Sequence, residues 1–241
     1  MPKFFVTSDI HSFYTELIEV LDNAGFDENN ESHYLVVCGD CLDRGPESKQ
    51  VFEYLQSLQR KILVRGNHEW LLVNCCKREY AMAHDQHNGT IKTILDIGEG
   101  ETFAEKCRST LAKVTPFLNE MVNYFETKNH IFVHSWIPYW TNNWRNATQE
   151  HWNEVIWADP FEAIKNGLMP DKTIVFGHCS CSIAWAQSEG RTVYGEDAKF
   201  DPYYGDGYIA IDGLTYHSGH KNVIIIEDEF MDNRMNWRTE K

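Results

Sequence analysis

The segment VCGDCLDRG, residues 37–45, decides the fold that the sequence predicts. The apolar run that leads into it, residues 34–37, is typical of a buried strand. The run stops at Gly39, and the carboxylates of Asp40 and Asp43 follow at once. Open α/β sheets bind their ligands beyond the carboxyl ends of the strands. The segment therefore predicts a buried strand that presents carboxylates at a ligand-binding edge.

The same arrangement recurs at four other places in the chain. Each is a short apolar run that closes on side chains of the kinds that bind metals: VTSDIH (6–11), ILVRGNHE (62–69), IFVHS (131–135) and TIVFGH (173–178). Taken singly, an Asp-x-His is usually a turn, and either isolated histidine could be an ordinary buried side chain. Five such runs in one chain instead predict strand ends that meet at a single metal site.

Strands and helices alternate in the first third of the chain. The predicted strands cover 3–8, 34–38 and 61–65, and the predicted helices cover 12–24 and 47–60. This βαβαβ pattern indicates parallel strands with crossover helices, which is the α/β class.

The remainder is predicted as one helical insertion followed by further strands. Residues 69–128 show helical spacing, with Pro116 expected in a first helical turn, and residues 136–157 form a long Trp-rich loop plus a helix. Strands are expected at 173–177, 208–212 and 222–227. Residues 183–194 are mixed in pattern, 195–207 form a loop, and 228–241 lie on the surface. Without a repeat or linker, residues 1–241 are predicted to form a single domain.

Composition excludes several classes of protein. The 241 residues carry a net charge of −14, which argues against nucleic acid as a partner. No run approaches the roughly 18 apolar residues of a membrane span, so no membrane association is expected. The start Met1-Pro2-Lys3 leads directly into a strand, so no signal peptide is predicted. Seven cysteines without a paired framework predict a reduced, cytoplasmic setting.

The residues at the five strand ends suit a site for two metal ions. Such a site needs one carboxylate that bridges both ions, and Asp40 is the natural candidate. Asp9 and His11, two residues apart on an extended strand end, point to the same side. Neutral ligands keep the total charge low, so that the metals remain Lewis acids. The neutral candidates are Asn67, His134 and His178.

These blocks resemble those of the calcineurin-like metallophosphoesterases, and more narrowly the phosphoprotein phosphatases. That family has GDxHG, GDxxDRG and GNHE followed by two isolated histidines. Here the blocks stand as SDIHS, GDCLDRG, RGNHE, VHS and FGHC, and they span about residues 4–178. In size and layout the chain is similar to the small bacterial and phage serine/threonine phosphatases of the bacteriophage lambda type. Symmetrical diadenosine tetraphosphatases share the same blocks. The resemblance implies an α/β/β/α sandwich with a helical insertion.

The resemblance also implies a role for each site residue. One metal takes Asp9, His11 and Asp40, and the other takes Asp40, Asn67, His134 and His178. The two divalent ions are expected to be manganese, with iron or zinc as alternatives. A hydroxide that bridges them attacks phosphorus in line. Arg44 and Arg65 bind the phosphoryl oxygens. His68, paired with Asp43, protonates the leaving group as general acid, and Glu69 caps the following helix.

The chain departs from the family pattern at several positions. Ser8, Ser12 and Ser135 stand where glycine is usual, and Cys179 stands where threonine is usual. Ser180 occupies the position of the second histidine of the wider superfamily, which predicts one protein ligand fewer for the first metal. Arg145 is the one arginine between the isolated histidines, and nothing around it matches the family's third phosphate-binding arginine.

Several substrates remain open at this point. The blocks and the chain length favour a serine/threonine protein phosphatase, with a phosphorylated protein or a small phosphate ester as substrate. The alternatives are a symmetrical diadenosine tetraphosphatase and a phosphatase of nucleic-acid ends. A metal-free binding scaffold is disfavoured, because every ligand and His68 are present.

Other conspicuous residues receive a structural interpretation. Cys75, Cys76, Cys179 and Cys181 are expected to pack, and His84 and His87 to lie on a solvated face. The aromatic cluster of Trp136, Tyr139, Trp140 and Trp144 fits a substrate wall or a set of loop anchors equally well.

Overall fold

The computed structural model describes residues 1–231, which contain nine strands and ten α-helices. The strands are β1 (Lys3–Thr7), β2 (His33–Cys38), β3 (Lys61–Val64), β4 (Phe125–Glu126), β5 (His130–Phe132), β6 (Thr173–Ser180), β7 (Tyr203–Gly205), β8 (Tyr208–Asp212) and β9 (Ile224–Glu227). The helices are α1 (Tyr14–Ala24), α2 (Ser48–Ser57), α3 (Asn67–Arg78), α4 (Ala83–Asn88), α5 (Thr90–Ile97), α6 (Phe103–Leu118), α7 (Gln149–Val155), α8 (Pro160–Lys165), α9 (Cys181–Glu189) and α10 (Thr215–Ser218).

The strands form two sheets. One has the order β3-β2-β1-β9 and the other the order β4-β5-β6-β8-β7. Strands β1, β2 and β3 are parallel, and α1 and α2 are the crossovers between them, which confirms the predicted βαβαβ unit. Strand β9 closes the first sheet antiparallel to β1.

The two sheets pack face to face around one apolar layer. Successive side chains of a strand point to opposite faces, so Phe4 and Val6 of β1 enter this central layer while Phe5 faces the helices outside. The second sheet contributes Phe132 and Val175 to the same layer. Helices cover both outer faces, and the predicted α/β/β/α sandwich is therefore confirmed.

The helical insertion lies between β3 and β4 and consists of α3, α4, α5 and α6. These helices share a buried cluster with the outer face of the first sheet. The outer face of the second sheet packs against α7, α8 and α9 in a separate cluster.

Several local predictions are wrong. The predicted loop 195–207 contains the strand β7 (Tyr203–Gly205). Pro116 lies in the last turn of α6 instead of a first turn, where its missing N–H removes a hydrogen bond close to the helix end. Much of the mixed stretch 183–194 belongs to α9, which begins when Ser180 accepts a hydrogen bond from the Ser182 N–H. Its apolar residues run consecutively from Ile183 to Ala186, so the sequence lacks helical spacing there.

No helix within residues 1–231 combines the length and the apolar character that crossing a bilayer requires. The surface position predicted for 228–241 falls mostly outside the described residues. Single-domain organisation over 1–241 stays a prediction.

Candidate metal centre and active site

The carboxyl ends of β1, β2, β3, β5 and β6, with the segments that follow them, converge on one site. It contains all six residues predicted as metal ligands: Asp9, His11, Asp40, Asn67, His134 and His178. Five of the six are buried, and His178 is partly buried. The parallel strands bring their carboxyl ends to one edge, as the sequence predicted for this fold.

Asp40 lies in the middle of the cluster and uses its two oxygens on different sides. Its Oδ2 is 3.6 Å from His11 Nε2, which is 3.9 Å from Asp9 Oδ1. Its Oδ1 is 3.5 Å from His134 Nε2. Ligand atoms that each lie about 2.0–2.2 Å from one ion are separated by distances of this order. The carboxylate is therefore placed to join two ion positions.

On the His134 side of Asp40, three uncharged candidate ligand atoms lie close to one another. Asn67 Oδ1 is 2.8 Å from His134 Nε2 and 3.1 Å from His178 Nδ1, and the two imidazole nitrogens are 3.1 Å apart. Burial, followed by the charge of the neighbouring His134, lowers the pKa of His178 to about 3. The His178 ring is therefore neutral and has a lone pair to offer.

Backbone carbonyls orient two of the imidazoles. His134 Nδ1 is 3.0 Å from the Cys38 carbonyl, and His11 Nδ1 is 3.1 Å from the Leu42 carbonyl. A carbonyl oxygen can only accept a hydrogen bond, so each Nδ1 carries the proton and each Nε2 points its lone pair into the site. This is the tautomer that a metal ligand needs.

The residues present fit divalent cations. Acceptor atoms crowd together at Asn67, His134 and His178, where only a cation or an added proton could satisfy them. Burial raises the pKa of the Asp40 carboxyl well above its usual range, although His68 opposes this shift. A cation between these groups would satisfy the crowded acceptor atoms and would stabilise the ionised Asp40 carboxylate. Nitrogen and carboxylate or amide oxygen donors suit manganese, iron and zinc.

The backbone at the site adopts a conformation that most residues avoid. Within residues 1–231, nine non-glycine residues have a positive φ, and seven of them lie here: Asp9, His11, Ser12, Asp40, Asp43, Arg44 and His178. Such strain concentrates at functional sites and persists only where the surrounding structure imposes it. Apart from the motifs themselves, no feature of the sequence predicts this backbone strain.

Two glycines allow the strand ends to approach closely. Gly39 has φ of 81°, and a Cβ there would lie 2.4 Å from His134 Nδ1. A Cβ on Gly66 would lie 2.1 Å from Asp40 Oδ1. Any larger residue at these positions would push ligands apart.

Glu69 fastens two of the loops together. Its carboxylate accepts hydrogen bonds from the N–H groups of Gly66, Asp40 and Cys41, at 2.8, 3.1 and 2.8 Å. The bond to Gly66 caps α3, as the sequence predicted. The other two bonds reach the loop after β2, which was not foreseen. Glu69 thus sets the distance between Asp40 and the start of α3.

His68 and Asp43 form a hydrogen-bonded pair beside the cluster. His68 Nδ1 donates to Asp43 Oδ2 over 2.9 Å. The same carboxylate accepts from the hydroxyls of Thr90 and Thr93, one turn apart on α5. Sequence reasoning missed these threonines. They show that the helical insertion fixes the orientation of Asp43.

The charge state of His68 separates it from the metal ligands. Burial opposes its protonation, but the carboxylates of Asp40 and Asp43 outweigh burial and raise the pKa of His68. Its Nε2 is 3.9 Å from Asp40 Oδ2, so His68 also stands within a possible ligand group with His11. A protonated imidazole cannot bind a metal, and the pair with Asp43 favours a proton donor instead.

Two arginines predicted to bind phosphate lie in the same region of the fold. Arg44 Nη2 is 3.4 Å from His68 Nε2, and its guanidinium carbon lies 4.5 Å from the centre of the Tyr216 ring. The Arg44 Nε is buried without a hydrogen-bond partner among residues 1–231. Arg65 is partly buried on the loop that leads into α3, where burial lowers its pKa and Glu69 opposes the shift. Arg44 therefore keeps donors available for an anion.

Arg145 has a structural role. It forms ion pairs with Glu126 and Asp171 at 2.7 and 2.8 Å, and its guanidinium stacks on Trp144. It occupies the rim of the second sheet, so it does not replace the family's third phosphate-binding arginine.

Sequence reasoning missed two buried ionisable groups near Asp9, Lys221 and Asp212. The ammonium of Lys221 donates to the carbonyls of Ser8 and Asp9 at 3.2 and 2.5 Å. Burial lowers the pKa of Lys221 to about 8. Burial, together with the nearby Asp9, raises the pKa of Asp212 to about 7. No motif marks either residue: Asp212 ends β8, and Lys221 lies in the segment between α10 and β9.

The remaining conspicuous residues behave as structural groups. Cys75, Cys76 and Cys181 are buried, Cys179 is partly buried, and His84 and His87 are exposed. Trp136 is buried and donates to the Leu168 carbonyl, and Trp144 packs on Tyr124, so these two tryptophans anchor their loop. Tyr139 and Trp140 are instead half-exposed.

Substitution of Asp40 tests the shared carboxylate. We expect Asp40→Asn to bind fewer than two metal ions per chain and to lose nearly all hydrolytic activity, because both sides of the cluster depend on that group. Elemental analysis after desalting gives the stoichiometry. Asp96→Asn removes an exposed carboxylate elsewhere and should keep wild-type metal content. Two bound metals with wild-type turnover in Asp40→Asn would contradict the assignment of Asp40 as the carboxylate shared by both metals.

Substitution of Glu69 tests the link between the loops. In Glu69→Gln an amide NH₂ must face backbone N–H groups, which we expect to cost about 1–3 kcal/mol of unfolding free energy and to weaken metal binding. Urea unfolding and a metal titration measure the two effects. Glu105→Gln is the matched control, because Glu105 caps α6 in the same way but far from the site. Unchanged metal affinity in Glu69→Gln would contradict the proposed spacing role.

Comparison with known sequences identifies the family. The model of the family described as calcineurin-like phosphoesterase matches residues 2–223. A symmetrical bis(5'-nucleosyl)-tetraphosphatase of Buchnera aphidicola is 39% identical over 74 residues, which cover 30% of this chain and 26% of that protein. The enzyme of the same name from Coxiella burnetii is 25% identical over 134 residues, or 56% and 42% of the two chains. The chain thus spans less than half the length of these curated relatives.

Comparison with solved structures supports the fold. A proposed diadenosine tetraphosphatase has a TM-score of 0.56 at 16% identity, over 94% of this chain and 95% of that one. A cold-active protein tyrosine phosphatase of Shewanella also has a TM-score of 0.56, at 15% identity, over 94% and 76%. The narrower resemblance to phage serine/threonine phosphatases finds no specific support in these matches. The matched family model, the sandwich and the metal-type cluster together place this chain in the calcineurin-like phosphoesterase family of metal-dependent hydrolases.

Proposed function

We propose that this protein hydrolyses dinucleoside polyphosphates such as diadenosine tetraphosphate. The observation that carries the proposal is the 39% identity to a symmetrical bis(5'-nucleosyl)-tetraphosphatase over 74 residues. A dinucleoside polyphosphate thus replaces a phosphorylated protein as the favoured substrate. The protein phosphatase prediction rested on chain length and on sequence blocks that both enzyme types share. The substrate partner is then a small nucleotide.

The proposed roles of the ligands follow the two sides of the cluster. Asp9, His11 and Asp40 would hold one ion, and Asp40, Asn67, His134 and His178 the other, with manganese as the expected metal. Bound there, the two ions would lower the pKa of water towards neutrality and stabilise charge on the phosphoryl oxygens. Ser180 supplies no ligand to the first ion in this scheme, because it is the N-cap of α9.

The side chains around the cluster bind the phosphate chain and move the proton. Arg44 and Arg65 would bind non-bridging phosphoryl oxygens, since a guanidinium fork matches their geometry. His68 would donate its Nε2 proton to the leaving oxygen while Asp43 holds the ring. In symmetrical cleavage a water oxygen bonds to phosphorus, the opposite P–O bond breaks, and two nucleoside diphosphates result.

The nature of the leaving group tests His68. We expect His68→Asn to keep both metals and to lose turnover by about 10²–10⁴-fold on an alkyl phosphate. The loss should be smaller on p-nitrophenyl phosphate and on a dinucleotide, whose leaving oxygens need less protonation. His87→Asn, an exposed histidine, is the control and should leave all three rates unchanged. Equal losses on all substrates would show that His68 is not the general acid.

A direct comparison tests the substrate. With Mn²⁺ present, kcat/KM for diadenosine tetraphosphate should exceed that for a phosphothreonine peptide by at least about a hundredfold, or about 2.7 kcal/mol in transition-state binding. Chromatography should find ADP as the single nucleotide product. A preference for the peptide, or ATP with AMP as products, would overturn the proposal.

A further inference from the structure

Two tryptophans that neighbour segments of the metal cluster are largely exposed. Trp70 and Trp157 are 44% and 45% exposed. Their ring centres lie 5.9 Å apart, with an angle of 89° between the planes. In this edge-to-face arrangement the edge of one ring meets the face of the other. Large aromatic surface is therefore left open to solvent.

Trp70 lies on a helix that carries a candidate ligand, and Trp157 lies beside a residue that is hydrogen-bonded to a ligand-bearing loop. Trp70 follows Asn67 by three residues on α3, so the two side chains lie one turn apart on neighbouring parts of the same face. Trp157 precedes Ala158, whose carbonyl accepts a 2.6 Å hydrogen bond from the hydroxyl of Ser135. Ser135 is the residue after His134. The aromatic pair thus borders the Asn67 and His134 side of the cluster.

The other tryptophans near this region are held by the fold. Trp136 donates its indole N–H to the Leu168 carbonyl, and Trp152 is buried against Tyr124. Among residues 1–231, the indole N–H groups of Trp70 and Trp157 have no hydrogen-bond partner. These two rings therefore do less for the fold than Trp136 and Trp152, and they remain available to a ligand.

We propose that Trp70 and Trp157 form a stacking site for one nucleobase of the substrate. Every base has a π face, and stacking on an aromatic side chain is sequence-tolerant and strong. The rings carry no charge, so they would bind the base while Arg44 binds the phosphates. On α3 the site lies one helical turn from Asn67. This inference rests on the proposed function and names the residues that recognise the nucleoside.

Substitution of the tryptophans should discriminate between substrates with and without a base. We expect Trp70→Ala and Trp157→Ala each to lower kcat/KM for diadenosine tetraphosphate by about tenfold or more, mainly through KM. The loss on p-nitrophenyl phosphate should be at least several-fold smaller. Trp70→Phe keeps an aromatic face and should recover much of the loss. Tyr80→Ala, which removes a 59% exposed ring just beyond α3, should change neither substrate.

A binding measurement separates this inference from the proposed function. ADP, the expected product, should bind the manganese-loaded wild-type protein in calorimetry and bind at least about tenfold more weakly to manganese-loaded Trp70→Ala. That result supports the stacking site even if diadenosine tetraphosphate is not turned over, in which case the proposed function fails alone. Equal ADP affinity in both proteins, or equal losses on both substrates in the alanine variants, would overturn the stacking site.

Discussion

The structure depends on the buried carboxylate of Asp40. One of its oxygens faces His11 and the other faces His134, and its Oδ1 also accepts the backbone N–H of His68 over 2.9 Å. Burial raises the pKa of the Asp40 carboxyl, so burial disfavours its ionised form. A cation beside the carboxylate would favour the ionised form. The demand for cations is therefore built into the fold at the point where β2 ends.

The rest of the site holds that carboxylate in place. Glu69 ties the Asp40 loop to α3, and Gly39 and Gly66 let the loops come closer than a side chain would permit. Thr90 and Thr93 extend this support from the inserted helices to Asp43. The positive φ values at the strand ends are the cost of this arrangement. Such a site tolerates little relaxation, which is what a catalyst that works by positioning requires.

The sequence predicted the parts of this protein that are specified locally. Runs such as residues 34–38 combine a buried strand with a ligand at its end, and their order predicted the parallel sheet and all six clustered ligands. Prediction from the sequence failed where contacts between residues distant in the chain determine the structure. The apolar residues of the α9 sequence lack the spacing that predicts a helix. Packing against the second sheet and the Ser180 cap define this helix instead. Trp70 and Trp157 are 87 positions apart in sequence, and only the fold brings them together.

Lys221 and Asp212 show how charge beyond the ligands can balance the two sides of the cluster. The Asp9 side has two candidate ligand carboxylates, Asp9 and Asp40, and the nearby Asp212 adds negative potential. The ammonium of Lys221, bound to the Asp9 carbonyl, offsets part of that charge. The other side shares Asp40 and adds only neutral ligands. With Ser180 in a helix cap, the Asp9 side would offer a proposed ion fewer ligands but more negative charge, and electrostatic attraction there would compensate for the absent donor.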